Sequence, residues 1–198
     1  MRYASLSERE EFYRSEFDLE LVKKWFHWVD SEWRVAFGVI IGRHTRLFPE
    51  KYAADASTTI LIDEYGGLED VRTEILEFLP ESVYYDRNMY DSERRVVGQE
   101  LAFDIDPENF ECPIHGGLKD KMRVHQGLGF CELKLNMARD EGVRLCEELS
   151  ELFSELRVVY SGRGFHIHVL DRDALLLNGQ RRRRLARQMK KKGFHIDE

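Results

Sequence analysis

Glu100-Leu101-Ala102-Phe103-Asp104-Ile105-Asp106 alternates apolar and acidic residues, which is the period-two pattern of a strand with one buried face. Leu101, Phe103 and Ile105 fall on the core side. Asp104 and Asp106 project together from the other side, about 7 Å apart along the strand. Carboxylate oxygens are hard ligands suited to Mg²⁺ or Mn²⁺, and two such ions can hold both the attacking and the leaving oxygen of an in-line phosphoryl displacement. On its own the stretch reads either as a strand end with solvated carboxylates or as a pair of divalent-metal ligands.

A second stretch, Val158-Val159-Tyr160-Ser161-Gly162-Arg163-Gly164-Phe165-His166-Ile167-His168, places a tight glycine turn between two β-branched runs. Ser161, Gly162, Arg163 and Gly164 offer a hydroxyl, exposed amides and a guanidinium together. Successive backbone N–H groups in such a turn form an anion-binding concavity, and an arginine fork can grip two phosphate oxygens. Beyond the turn Phe165, Ile167 and Val169 point inward, while His166 and His168 share the polar face; His166 can donate to a triphosphate or a sugar hydroxyl.

The Asp104/Asp106 pair, followed by Ser161-Gly162-Arg163-Gly164-Phe165-His166 with a cysteine and histidine segment between them, resembles the small catalytic subunit of archaeo-eukaryotic DNA primase. The resemblance implies an α+β fold: a mixed β-sheet of the primase type, with flanking helices and a small zinc-binding loop module. It implies template-directed synthesis of short primers on single-stranded DNA from nucleoside triphosphates by a two-metal mechanism. Asp104 and Asp106 are then the catalytic metal ligands, and Ser161, Gly162, Arg163, Gly164 and His166 bind the nucleotide. A primase large subunit is the implied partner. The family's third carboxylate belongs to a later strand, and Gly193-Phe194-His195-Ile196-Asp197-Glu198 reads as the approach to it, so a C-terminal segment or a second chain is expected to complete the site. The alternatives are a primase-like non-catalytic or split subunit that binds nucleotide or single-stranded DNA, and a repair-type primase-polymerase.

Between the motifs lie Cys112, His115, His125 and Cys131, in a stretch punctuated by Gly116, Gly117, Gly127 and Gly129. Four soft or borderline ligands make a zinc count, and Zn²⁺ would hold a loop with little core of its own. Relatives of the resembled family commonly carry a zinc knuckle here, expected over 107–132, often ending in Cys-x-x-Cys. Leu128 stands where that pair would begin. Otherwise the segment is an unmetallated loop with ordinary thiols. Cys146, among Val143, Leu145 and Leu149, reads as a small apolar residue of a helix.

With 198 residues, 42% apolar and 12% aromatic, the chain can bury a sizeable core, expected as one domain over 1–198. It shows neither an apolar run of membrane-spanning length nor a secretory signal, so a cytoplasmic protein without membrane contact is expected. Three cysteines argue against a disulfide framework. The balance of 37 acidic against 30 basic residues excludes a generally basic nucleic-acid binder. Binding must be local, and Arg181-Arg182-Arg183-Arg184 with Arg187 and Lys190-Lys191-Lys192 is the one basic cluster. It reads as a phosphate contact, a contact for an acidic partner, or a solvated helix face.

Ser7-Glu8-Arg9-Glu10 suggests a capping box opening a helix. Strands are expected at Val35–Ile41, Thr58–Ile62 and Ser82–Tyr85, with a turn at Glu64–Gly67, a helix over Leu68–Leu79 stopped by Pro80, and a long helix from Leu133 to about Leu156 leading into a strand at Arg157–Tyr160. Arg34, Arg43 and Arg46 lie near the first strand, and Tyr84, Tyr85 and Tyr90 are either base-stacking groups or core tyrosines.

Overall fold

In the computed structural model, residues 4–26, 34–40, 59–62, 68–114, 116, 131–162 and 164–196 are described. Helix α1 (Leu6–Ser15) begins with a capping box, but Ser5 and Glu8 form it: the Ser5 hydroxyl accepts from the Glu8 N–H and the Glu8 carboxylate from the Ser5 N–H. The Ser7–Glu10 frame is thus displaced by two residues. The observed frame turns Arg9 and Tyr13 inward, where Arg9 donates to the Leu79 carbonyl and Tyr13 to the Pro80 carbonyl. Helix α2 (Leu19–Trp25) starts at Asp18, whose carboxylate caps the Glu20 N–H. Helix α3 (Leu68–Phe78) stops where expected, and Leu79 takes φ +44 before Pro80. Strands β1 (Arg34–Ile40), β2 (Thr59–Ile62), β3 (Ser82–Tyr90) and β4 (Val96–Gln99) form a sheet in the order β2-β1-β3-β4. β3 is five residues longer than its sequence reading, and β4 had no hydrophobic period to announce it. The expected turn at Glu64–Gly67, Arg43 and Arg46 lie outside the described residues.

Arg2–Val97 and Gly98–Glu198 form two compact units. In the second, β5 (Leu101–Ile105) is followed by a 3-10 turn at Pro107–Asn109, helix α4 (Glu132–Ser150), β6 (Leu156–Tyr160), β7 (Phe165–Val169), the short helix α5 (Arg172–Leu175) and α6 (Gly179–Lys191). The strand order is β5-β7-β6, with β7 antiparallel to both neighbours. The α+β class holds, but among the described residues the strands form two sheets in place of the expected mixed sheet, and every pairing whose register is described is antiparallel. The physical reason is the split connection: α4 carries the chain back so that β6 runs parallel to β5, and the tight turn then folds β7 into the gap between them.

One face of this sheet is apolar. Leu101, Phe103, Ile105, Ile167 and Val169 bury themselves against Ala138, Leu145 and Leu149 of α4, and each large aliphatic or phenyl group so buried contributes about 1.5–3 kcal/mol. Cys146 packs at the margin of this core. The other face carries Ala102, Asp104, His166, His168, Arg157 and Val159 by strict alternation.

Candidate active site

The register across β5 and β7 sets Asp104 opposite His166, with Ile105 opposite Phe165. His166 Nδ1 lies 4.0 Å from Asp104 Oδ1, and both side chains are about one-third exposed. Asp106 follows the end of β5 with extended backbone (φ −96, ψ 133), so its side chain keeps the alternation and joins the Asp104 face. Its side chain makes no cap hydrogen bond to the 3-10 turn, and the Asp106 carbonyl accepts from the Asn109 N–H at 3.0 Å.

The glycine turn closes on itself. Ser161 N donates to the Gly164 carbonyl at 3.0 Å, and the Ser161 hydroxyl accepts from the Gly164 N–H at 3.0 Å. Gly162 takes φ +84, a conformation that L side chains rarely adopt. Gly164 answers a different need. A Cβ there would lie 2.6 Å from Asp106 Oδ1 and 2.8 Å from the Ile105 carbonyl, so only glycine admits this approach of turn to carboxylate. The structure thus brings Asp104, Asp106, Ser161, Gly162, Gly164 and His166 to one end of one sheet. Arg163 lies outside the described residues.

His168, placed by the alternation beside His166, is nearly buried, and its Nδ1 meets the carboxylate of Glu100, which is 2% exposed. The sequence reading gave Glu100 no role. Its signal was present, since Glu100 stands four residues before Asp104 and so faces the same way. Arg157, opposite His168 in the register and 3.7 Å from Glu155, is a further cation on this face. Asp171 serves the fold instead: its carboxylate accepts from Ser154 N, Ser154 Oγ and Glu155 N. Burial acts to raise its pKa, but these hydrogen bonds outweigh that and hold it below the ordinary value.

Cys112 Sγ and Cys131 Sγ are 3.5 Å apart. Two thiolates at 2.3 Å from a tetrahedral ion would stand about 3.8 Å apart, so this pair fits half of a zinc site with little movement. The Cys112 loop is tied back by paired backbone hydrogen bonds with Gly116, and Cys131 is the N-cap of α4. His115 and His125 lie outside the described residues, and among the described residues no group of three or more ligating side chains gathers. Of the tyrosines, Tyr85 accepts a hydrogen bond from Trp25 and Tyr90 donates to Asp86, while Tyr84 is partly exposed. Among the described residues no helix is long and apolar enough to cross a membrane.

No family model matches the chain. An Archaeoglobus fulgidus protein described as an uncharacterized DNA primase small subunit-like protein is 46% identical, over 94% of this chain and 72% of its own length. This chain belongs to the archaeo-eukaryotic DNA primase small-subunit family. The DNA primase small subunit PriS of Pyrococcus furiosus is 30% identical over 93% of the chain, and that of Pyrobaculum calidifontis 31% identical over 66%. The chain spans 48% and 42% of those two primase subunits, so the region shared with them is less than half of each.

Proposed function

We propose that this primase-family chain is a template-directed nucleotidyltransferase that builds short primers on single-stranded DNA. The observation that carries the reading is the contact of Gly164 with Asp106 beside the Asp104–His166 pair: one ligand can reach the carboxylates and the phosphate-gripping turn at once. Asp104 and Asp106 would hold Mg²⁺ or Mn²⁺, which when bound neutralises phosphate charge and lowers the pKa of a coordinated hydroxyl. Because the Ser161 and Gly164 N–H groups close the turn, the Gly162 and Arg163 N–H groups and the Arg163 guanidinium receive the phosphate tail, and His166 orients it by donating an N–H. Zn²⁺ held by Cys112 and Cys131, with His115 and His125 as the other ligands, would fix the loop that leads into α4. A primase large subunit is the partner of the assembly.

Calorimetric titration of the chain with a nucleoside triphosphate and Mn²⁺ tests the site. Binding that vanishes in Asp104→Asn/Asp106→Asn, together with loss of primer synthesis in the assembled enzyme, is expected. Unchanged primer synthesis by that double variant would overturn the assignment.

A further inference from the structure

Helix α6 carries a charge pattern that works against its own stability. Its first turn, Gly179-Gln180-Arg181-Arg182, contains no acidic residue and two arginines, although the N-terminal end of a helix dipole is positive and favours acids. Arg183, Arg187 and Lys191 follow at four-residue intervals, a spacing at which like charges repel. None of the chain's 37 acidic residues falls between Asp173 and Asp197. A merely solvated face mixes its signs, as the neighbouring helix α4 does with Glu132, Arg139, Asp140, Arg144 and Glu147. Violations of local preference that bring no stability are expected where function demands them.

The helix is nonetheless held firmly. Met189 is buried in the core and Leu185 packs against it. Arg182 turns inward, donating to the carbonyls of Glu100, Ala174, Leu175 and Leu177 and also to that of Gln99. Arg182 therefore belongs to the fold, and Lys192 pairs with Glu148 of α4. Arg183, Arg184, Arg187, Lys190 and Lys191 are all exposed. Successive members of the Arg183, Arg187, Lys191 row are about 6 Å apart along the helix axis, comparable to the spacing of successive phosphates on an extended single strand. The anchor point, Glu100, lies four residues before Asp104, about 13 Å along β5. Met189 and Leu185 seat α6 in the core on the apolar face of the sheet, so a strand on its outer face would not occupy the carboxylates.

We propose that the outer face of α6 binds the sugar-phosphate backbone of single-stranded DNA, independently of sequence. The proposal rests on the primase reading for its ligand but uses none of the nucleotide-site residues. It is tested by fluorescence anisotropy of a labelled oligothymidylate with the full chain, across a salt series, for the wild type and Arg183→Gln/Arg187→Gln/Lys191→Gln. Three lost phosphate contacts should reduce the slope of log K against log[salt] by about 2 and weaken binding about 100-fold at 0.1 M salt. The Arg183→Lys/Arg187→Lys/Lys191→Arg variant should retain the wild-type slope, because the term depends on charge. An unchanged slope in the glutamine variant would overturn the proposal, as would poly-glutamate binding α6 as tightly as the oligonucleotide. Retained calorimetric binding of Mn²⁺ nucleotide by the glutamine variant separates the two readings: loss of nucleotide binding in the wild type with α6-dependent DNA binding intact would refute the catalytic reading and leave this one standing.

Discussion

Gly164 touches Asp106 so closely that a methyl group on its Cα would come within 2.6 Å of Oδ1. The turn and the carboxylate strand are therefore one device, and displacing either moves the other.

Two glycine substitutions separate contact from strain. Gly164→Ala should push Asp106 aside and reduce nucleotidyl transfer by at least ten-fold, with a smaller loss of Mn²⁺-nucleotide affinity. Gly162→Ala meets nothing within 4 Å but must adopt φ +84, costing about 1–2 kcal/mol of stability. Primer-extension rates and denaturant unfolding of both variants check this. Equal effects on activity would contradict it.

The buried pair of Glu100 and His168 should behave as a unit. His168→Leu leaves a carboxylate in the interior and should destabilise the second unit by about 1–3 kcal/mol. Adding Glu100→Leu removes the unmatched group and should restore most of that loss. Urea unfolding of the single and double variants reads the difference directly.

Asp171 predicts an acid limb. Its folded pKa lies below the ordinary 3.8, so the ionised form is favoured by folding. Its stabilisation is fully present above the unfolded value and is lost as the pH falls through the folded one. Asp171→Asn should be less stable than wild type by on the order of 1–2 kcal/mol near pH 7. The gap should narrow below about pH 4. Thermal unfolding at a series of pH values measures it, and a gap constant from pH 7 to pH 3 would refute the role.

The thiols offer a metal test. Elemental analysis of purified chain should find about one zinc per molecule, and Cys112→Ser or Cys131→Ser should lower both the metal content and the protease resistance of the 107–132 segment. Wild-type protein free of zinc yet equally resistant would remove the metal from the proposal.

Much of the site was legible in the chain because it is built from local periodicities. The alternation through Leu101–Asp106 specifies which side the carboxylates take, and Ser161–His166 announces a tight glycine turn between strands. What no local pattern contains is the order β5-β7-β6. That order arises because α4 buries Leu145 and Leu149 on the sheet, returning the chain so that β7 can enter beside β5. Glu100 and His168 illustrate the same limit: adjacent residues of a sheet face are 68 positions apart, and only the strand pairing reveals that one buried polar side chain meets the other. Arg182, lost within a run of four arginines, is distinguished from its neighbours by packing alone. Chemistry and facing are properties of short segments, set by side-chain type and backbone period; partnership is set by which apolar faces the whole chain can bury at once.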